Sequence, residues 1–407
     1  MSVRRPGSGL LPIFVVVVVD LIGFGLYIPL LPFYAESFNA EPWVVGLAMA
    51  TYSFTQFLSA PLWGQASDRH GRKPVLALGM AGSVVSYVWL GFADGLTELF
   101  LARALNGLMA GNIAAAFAYV ADTTTRETRA RGMGLIGAAF GLGFIAGPAI
   151  GGLLAGSDPE NANFVRPAMA AATLSGVAFL LTVFWLPESR TKETRALSAS
   201  GEPASRLQQL FSGLSTPGLG GLLILILMAT FVFAGLESTF AMWSRRQFGW
   251  GPEQNGYLFA GIGIMSALIQ GGLIGRLTAR FGEKNLVVCG ATCLAVGVGM
   301  LPFAESLGML ILAMAVAAFG FSVMSPALNA LVSLQVTEDR QGSALGLTRS
   351  AATLARILGP AFAGSLFSIA GMDAPYFAGA AIMAVVAGLA LYVGRSISDS
   401  RSLPERH

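Results

Sequence analysis

The chain has 407 residues, of which 54% are hydrophobic and 12% are charged, about half the roughly 25% of charged residues typical of a soluble globular domain. Two cysteines exclude a disulfide scaffold, two histidines argue against a His-rich metal site, and a net charge of +3 is too small for a nucleic-acid-binding surface. With 51 glycines and a mean hydropathy of +0.67, the composition is typical of a polytopic helical membrane protein.

Apolar runs of about 20 residues, the length that crosses a bilayer core of about 30 Å, recur between charged or Pro/Gly-rich breaks. They predict an all-α integral membrane protein with twelve spans. The first six are residues 11–33, 43–63, 74–93, 97–119, 132–155 and 167–186. The second six are residues 219–243, 254–275, 285–303, 307–329, 342–370 and 375–393. Span 1 is expected to be a helix rather than a signal peptide, because it stays apolar through Leu30 and no small-residue cleavage site closes it.

The loop charges predict which side of the membrane each loop faces. With the N-terminus inside, 19 of the 25 Lys and Arg residues fall on the inner side, three fall outside and three lie within spans. The positive-inside rule therefore predicts that both termini are cytoplasmic. The expected location is the inner or plasma membrane.

Span 1 contains an acidic residue near its middle, Asp20, which lies too deep for its side chain to reach water. Placing a charge at that depth costs about 2.5 to 3.5 kcal/mol on insertion scales, so a residue such as Asp20 is expected to have a functional or structural role. Dry surroundings favour the neutral form of a carboxyl, which lets the group load and unload a proton. Asp20 is therefore expected to bind protons or substrate; a structural polar contact to a neighbouring helix is the alternative.

The loop between spans 2 and 3 combines one acid with three cations and a glycine suited to a tight turn. Its characteristic residues are Gly64, Asp68, Arg69, Gly71, Arg72 and Lys73. The cations alone would serve as an orientation signal. A carboxylate here would be stabilised near the cytoplasmic N-terminus of another helix by about 0.3 to 1 kcal/mol.

Span 4 carries Arg103 close enough to its outer end for the arginine stem to reach headgroups. Span 5 carries small residues at spacings that let helix backbones pack closely, with a proline that kinks the helix. These residues are Gly143, Gly147, Pro148, Gly151 and Gly152.

Charged residues also lie within the later spans. Glu237 is about two turns from the outer end of span 7, where it could be a second protonation site or a counter-ion for a cationic substrate group, or could reach the interface. Arg349 and Arg356 lie seven residues apart and so share one face of span 11. Two arginines facing a cavity suggest an anionic or zwitterionic substrate; neutralising Glu237, or capping carbonyls at broken helix ends, is equally consistent.

Uncharged polar residues within the spans could line a substrate cavity or merely bond across helices. They are Asn106, Asn112, Tyr119, Gln270 and Asn329. No metal site and no cofactor are expected from the sequence.

The two halves of the chain are related by an internal repeat. Gly64, Arg69, Gly71 and Lys73 recur 211 residues later as Gly275, Arg280, Gly282 and Lys284. Glu127 and Arg129 recur at the same offset, and Gly147-Pro148 recurs at an offset of 212. Three widely spaced matches predict a duplicated six-helix unit, and repeats of this kind usually place a substrate site at their interface.

These segments resemble the major facilitator superfamily. The loop between spans 2 and 3 resembles its loop signature, and the run from Asp20 to Pro32 resembles the span 1 motif of its drug:proton antiporter branch with twelve spans. The run from Arg103 to Gly107 resembles the span 4 motif, and residues 141–152 resemble the antiporter motif of span 5. The resemblance covers the whole chain and is closest to tetracycline-type efflux proteins.

The resemblance implies a role for three segments. The loop acid, Asp68, is expected to act as a conformational latch between the halves on the cytoplasmic side, near the start of span 11. Arg103 is expected to take part in proton coupling through the charge of Asp20. The span 5 motif is associated with antiporters, which favours efflux over uptake.

The expected architecture is a major facilitator fold of two pseudo-symmetric six-helix bundles, residues 1–186 and 218–407, joined by a cytoplasmic linker at 187–217. The expected function is drug:H⁺ antiport by alternating access, exporting drug-like amphipathic small molecules, with tetracycline-like ones as one candidate. A uniporter or importer of another solute, such as a sugar or organic anion, is the alternative; an enzyme is not expected. The expected partners are a small-molecule substrate, protons and the bilayer, without nucleic acid, and the protein is expected to be a monomer.

Overall fold

The computed structural model describes residues 10–189, 218–336 and 341–402, and within these ranges its regular structure is entirely helical. The first eight helices are α1 (Leu10–Tyr27), α2 (Leu31–Ser37), α3 (Pro42–His70), α4 (Arg72–Gly91), α5 (Leu96–Ala110), α6 (Ile113–Thr123), α7 (Arg126–Ala155) and α8 (Val165–Phe184). The next six are α9 (Leu219–Phe248), α10 (Pro252–Leu268), α11 (Ile274–Met300), α12 (Leu307–Leu334), α13 (Gln341–Ala370) and α14 (Ala374–Ser402). The predicted all-α class is confirmed.

Ten helical segments of the described chain are long and apolar enough to cross a membrane. One of them, Pro252–Phe303, is 52 residues long and contains two predicted spans. They meet at Gly282, whose φ of 74° is not helical. The predicted span 43–63 lies in α3, which has 29 residues but is not among the ten because polar side chains such as Gln56 interrupt its apolar run. Each of the twelve predicted spans therefore lies in a described helical segment.

Three predicted spans are interrupted where a continuous α-helix was expected. Span 1 is divided into α1 and α2 by a turn at Ile28, Pro29 and Leu30, since proline has no N–H to continue the helical ladder. Span 4 is divided into α5 and α6 at Gly111 and Asn112, residues with low helix propensity. A π-helical segment, Ile269–Leu273, interrupts span 8.

The internal repeat is visible in the backbone. Gly71 and Gly282, which the sequence relates by the offset of 211, both adopt positive φ, at 105° and 74°. That conformation favours glycine, so the same turn joins spans 2 and 3 and spans 8 and 9. The repeat pair Glu338 and Arg340 and most of the predicted linker, residues 190–217, lie outside the described residues.

The described residues fall into two compact units. One is Met1–Pro203 with Ser244–Gly263, and the other is Ala204–Trp243 with Ile264–His407. An apolar cluster in the first unit packs α1, α4, α6 and α7 together, through residues such as Ile13, Leu76, Tyr119 and Ile136. The bundle boundaries given above stay a prediction.

Candidate functional site

Asp20 lies in the middle of α1 and contacts α8. The hydroxyl of Ser175 on α8 donates a hydrogen bond to Asp20 Oδ1 at 3.3 Å. Among the described residues of the first unit, no cation forms an ion pair with Asp20. Within the described part of the unit, the carboxyl is thus held by one long hydrogen bond from a neutral group, which is the polar contact expected as the alternative to a proton or substrate role.

Arg103 on α5 is a buried cation, with only 7% of its surface exposed. Its guanidinium lies over the ring of Tyr52 at 4.8 Å, and its Nε has no hydrogen-bond partner in the described chain. Arg103 and Asp20 do not form an ion pair, so the structure does not join these two charges.

The polar residues of span 4 are enclosed between helices. Asn106 donates to Ser86 Oγ at 2.7 Å. The side chain of Asn112 covers Gly79, where an added Cβ would meet it at 2.6 Å. Tyr119 is fully buried in the apolar cluster of the first unit. In this structure Asn106, Asn112 and Tyr119 therefore bond or pack across helices. This is the second of the two roles that the sequence left open, the first being to line a substrate cavity.

Glu237 on α9 forms an ion pair within the second unit. Its Oε2 lies 3.7 Å from Nη1 of Arg356 on α13, and Glu237 is only 6% exposed. Three roles were open to Arg356 from the sequence: binding substrate, neutralising Glu237 and capping carbonyls. The observed ion pair corresponds to the neutralisation of Glu237. Arg349 lies seven residues before Arg356 on α13 and is exposed. Gln270 and Asn329 are exposed as well.

The loop between spans 2 and 3 is organised by the buried Arg72. Its guanidinium pairs with Asp68 at 2.8 Å and with Asp122 at 2.9 Å, and it donates to Ser67 Oγ at 2.5 Å. Gly71, at a φ of 105°, makes the turn that allows α4 to begin directly after α3. Removing one partner of a buried ion pair typically costs about 3 to 5 kcal/mol, so Arg72 is expected to fix this corner of the unit.

Two members of this cluster were not anticipated from the sequence. Glu188 accepts hydrogen bonds from the backbone N–H of Arg72 at 3.0 Å and of Lys73 at 3.2 Å, which caps the N-terminus of α4. Asp122, at the end of α6, bonds Arg72. The sequence predicts such a carboxylate at a helix N-terminus, but as a contact of Asp68 near the start of span 11. That second contact stays a prediction.

The other loop residues are less constrained. Arg69 is exposed, and an added Cβ at Gly64 would have no neighbour within 4 Å. Lys73 contributes its backbone N–H to Glu188. The loop charges that carry contacts are thus Asp68 and Arg72.

The span 5 glycines bring α7 against two other helices of the first unit. Added Cβ atoms at Gly143 and Gly147 would lie 2.8 Å and 2.6 Å from backbone atoms of α1, and Gly151 is similarly close to Leu26. Gly152 faces the start of α10, where its Cβ would lie 2.7 Å from the carbonyl O of Pro252. The small residues of the motif therefore allow the backbones of neighbouring helices to approach α7 closely on two of its faces, as small residues do in membrane helices. Pro148 lies inside α7.

The second unit repeats this packing. Gly359, the repeat partner of Gly147, lies so close to α9 that its Cβ would be 3.2 Å from the carbonyl C of Phe231 and 3.3 Å from the amide N of Gly235. Pro360 lies inside α13, as Pro148 lies inside α7. The contact of α1 with α7 thus recurs as the contact of α9 with α13.

A charged cluster at the predicted outer side was also not anticipated. The carboxylate of Glu36 on α2 pairs with Arg245 at 3.3 Å and with Arg246 at 3.0 Å, all within the first unit. These arginines are two of the three cations predicted to lie outside. Among the residues that the structure describes, no group of three or more His, Cys, Asp or Glu is placed to hold a metal ion.

A model of the Major Facilitator Superfamily matches residues 13–278 and 271–407. The chain belongs to this superfamily. It is therefore a multi-pass membrane transporter of small molecules, not an enzyme, and its family and bacterial relatives place it in the inner or plasma membrane.

The chain is also similar to individual members of the superfamily. The chain is 32% identical over 376 residues to the tetracycline resistance protein, class C, of Escherichia coli, covering 89% of this chain and 91% of that protein. It is 28% identical over 390 residues to multidrug resistance protein 2 of Bacillus subtilis, covering 95% of each. Its fold matches the human organic anion transporter MFSD10 (TETRAN) with a TM-score of 0.72 and 27% identity, covering 95% of this chain and 100% of that one.

Proposed function

We propose that this transporter exports drug-like amphipathic small molecules, tetracycline-like compounds among them, in exchange for protons. The observation that carries the proposal is Asp20, a carboxyl in the middle of a membrane helix with one hydrogen bond from Ser175. Because it has no ion pair among the described residues of its unit, it can take up or release a proton without first breaking a salt bridge. The tetracycline and multidrug resistance relatives support the substrate class.

Coupling requires that protons and substrate each bind the two conformations with different affinity. In our proposal, protonation of Asp20 favours one conformation and substrate favours the other. Movement of Arg103 toward Asp20 would favour the ionised carboxyl and so release the proton. Glu237 is proposed as a second proton site, with Arg356 stabilising its charge until the pair separates.

The cluster around Arg72 is proposed to act as the conformational latch of the cytoplasmic side, with Asp68 as the acid that reaches the other half. The carboxylate of Asp68 lies 2.8 Å from the guanidinium of Arg72, and its side chain is 42% exposed. Both termini are proposed to be cytoplasmic, and the transporter is proposed to act as a monomer.

Proteoliposomes test the exchange mechanism. The wild type is expected to accumulate tetracycline against its gradient when a pH gradient is imposed, and tetracycline addition should drive counter-movement of protons, read with a pH-sensitive dye. Asp20→Asn is expected to reduce uphill transport at least tenfold while tetracycline binding persists. Asp158→Asn, the same change at an exposed loop acid, is the matched control and should leave transport unchanged. Full uphill transport by Asp20→Asn would refute the proton role.

A second candidate is proton-independent transport of an organic anion. It is favoured by the 27% identity to the human organic anion transporter and by the two arginines, Arg349 and Arg356, on one face of α13. In the same proteoliposomes, flux of an anionic dye such as fluorescein that ignores an imposed pH gradient would support this candidate over exchange.

A further inference from the structure

A cavity of about 400 Å³ lies where α1 begins, α6 ends and α7 begins, within the first unit. One part of its wall is apolar and includes Leu11 and Phe14 from α1. Another part carries the hydroxyls of Thr125 and Thr128 and the guanidinium of Arg131. A volume of this size accommodates a small amphiphile, since ligand pockets typically measure about 300 to 1,000 Å³.

Arg131 is the charged group among the described residues of this wall, and it forms no hydrogen bond or ion pair with any of the described residues. The two threonine hydroxyls are already within 3.1 Å of each other and close the capping box at the start of α7. Arg129, two residues earlier, donates to the carbonyl O of Ala121 at 3.3 Å and does not line the cavity. Among the lining residues that the structure describes, the cavity therefore has one cation, and its hydrogen-bond donors are available.

The depth of the cavity is set by the helices that form it. The predicted spans 1 and 5, which lie in α1 and α7, begin at residues 11 and 132. Arg131 thus lies at the level where both helices enter the membrane, which is the level of the lipid headgroups. Leu11, on the apolar wall, is 62% exposed and so also borders the region that lipid occupies.

The cation of the cavity is not part of the internal repeat. Arg131 corresponds to Gly342 at the offset of 211 and to Ser343 at the offset of 212. The duplicated fold therefore does not require a cation at this position.

We propose that this cavity binds an anionic phospholipid of the adjoining leaflet. Arg131 would hold the phosphate through its planar donor fork. The first methylenes of an acyl chain would lie along Leu11 and Phe14. Basic pockets between membrane helices at headgroup level recognise anionic lipids in this way. The apolar wall and its depth favour a lipid over a soluble phosphate. The assignment is independent of the transported substrate and of proton coupling.

Native mass spectrometry of the purified transporter in detergent tests this site. The probes are phosphatidylglycerol, phosphatidylcholine and inorganic phosphate. The wild type is expected to bind phosphatidylglycerol at least tenfold more tightly than phosphatidylcholine. Arg131→Gln is expected to remove most of that preference, whereas Arg129→Gln, with the same charge change in the first turn of the same helix, should alter the affinity less than threefold. Arg131→Lys keeps the charge and should retain part of the preference, so a folding defect of one variant does not decide the result.

The apolar wall provides a second, independent test. Leu11→Ser leaves every charge in place and should weaken phosphatidylglycerol binding severalfold, because it removes acyl-chain contact. Equal losses in Arg131→Gln and Arg129→Gln would mean that the start of α7 attracts anionic lipid by charge alone, and would overturn the proposal. Competition by millimolar inorganic phosphate, or stronger lipid binding after deletion of residues 2–9, would also overturn it, in favour of a free-anion site or of the chain's own N-terminal segment.

Discussion

Replacement of Gly147 by alanine is expected to separate α1 from α7. An added Cβ would lie 2.6 Å from the Cα of Gly25 and 2.8 Å from the amide N of Leu26. Both are backbone atoms, so no side-chain rotation relieves the overlap. Ordinary contact begins at 3.4 Å, so the two helices must move apart by about 0.8 Å. Overpacking of this kind costs about 1 to 3 kcal/mol.

Gly141 on the same helix is the matched control, because an added Cβ there has no neighbour within 4 Å. Both substitutions gain the same helix propensity, up to about 1 kcal/mol, so their difference isolates the helix contact. The thermal midpoint, followed by tryptophan fluorescence in detergent, is expected to be about 3 to 10 °C lower for Gly147→Ala than for Gly141→Ala. Tetracycline transport should fall in the same order. Equal midpoints and equal transport would refute the backbone contact between these helices.

Three further changes test charged groups. Asp68→Asn loses a 2.8 Å ion pair and is expected to reduce transport strongly while membrane insertion and tetracycline binding persist; loss of binding would contradict a latch role. Glu237→Gln is expected to lower the thermal midpoint, because it leaves Arg356 without its partner at 3.7 Å, and Glu237→Gln combined with Arg356→Gln should recover part of the loss. Glu36→Gln removes the ion pairs of Glu36 with Arg245 and Arg246 and is expected to cost about 1 to 3 kcal/mol in thermal unfolding, whereas Glu160→Gln, at an exposed loop acid, should cost nothing measurable.

The span positions and the depth of the buried charges could be predicted from the sequence because both depend on local composition. A run of about 20 apolar residues must cross the bilayer whatever it packs against. An acid in the middle of such a run, such as Asp20, needs a compensating role in any arrangement of the helices. The duplicated unit could also be predicted from the sequence, because residues such as Gly71 and Gly282 recur at a fixed offset. Both glycines adopt positive φ in the structure.

The partners of those residues were decided only by the tertiary structure. Ser175 lies 155 residues from Asp20, and Glu188 lies 116 residues from the backbone N–H of Arg72 that it caps. No local pattern relates residues so far apart, because their meeting depends on which helices pack together and in which rotation. The same holds for Gly147, whose spacing predicted close packing but not that Gly25 would be opposite it. Sequence thus determined which residues need a contact, and helix packing determined which contact each one receives.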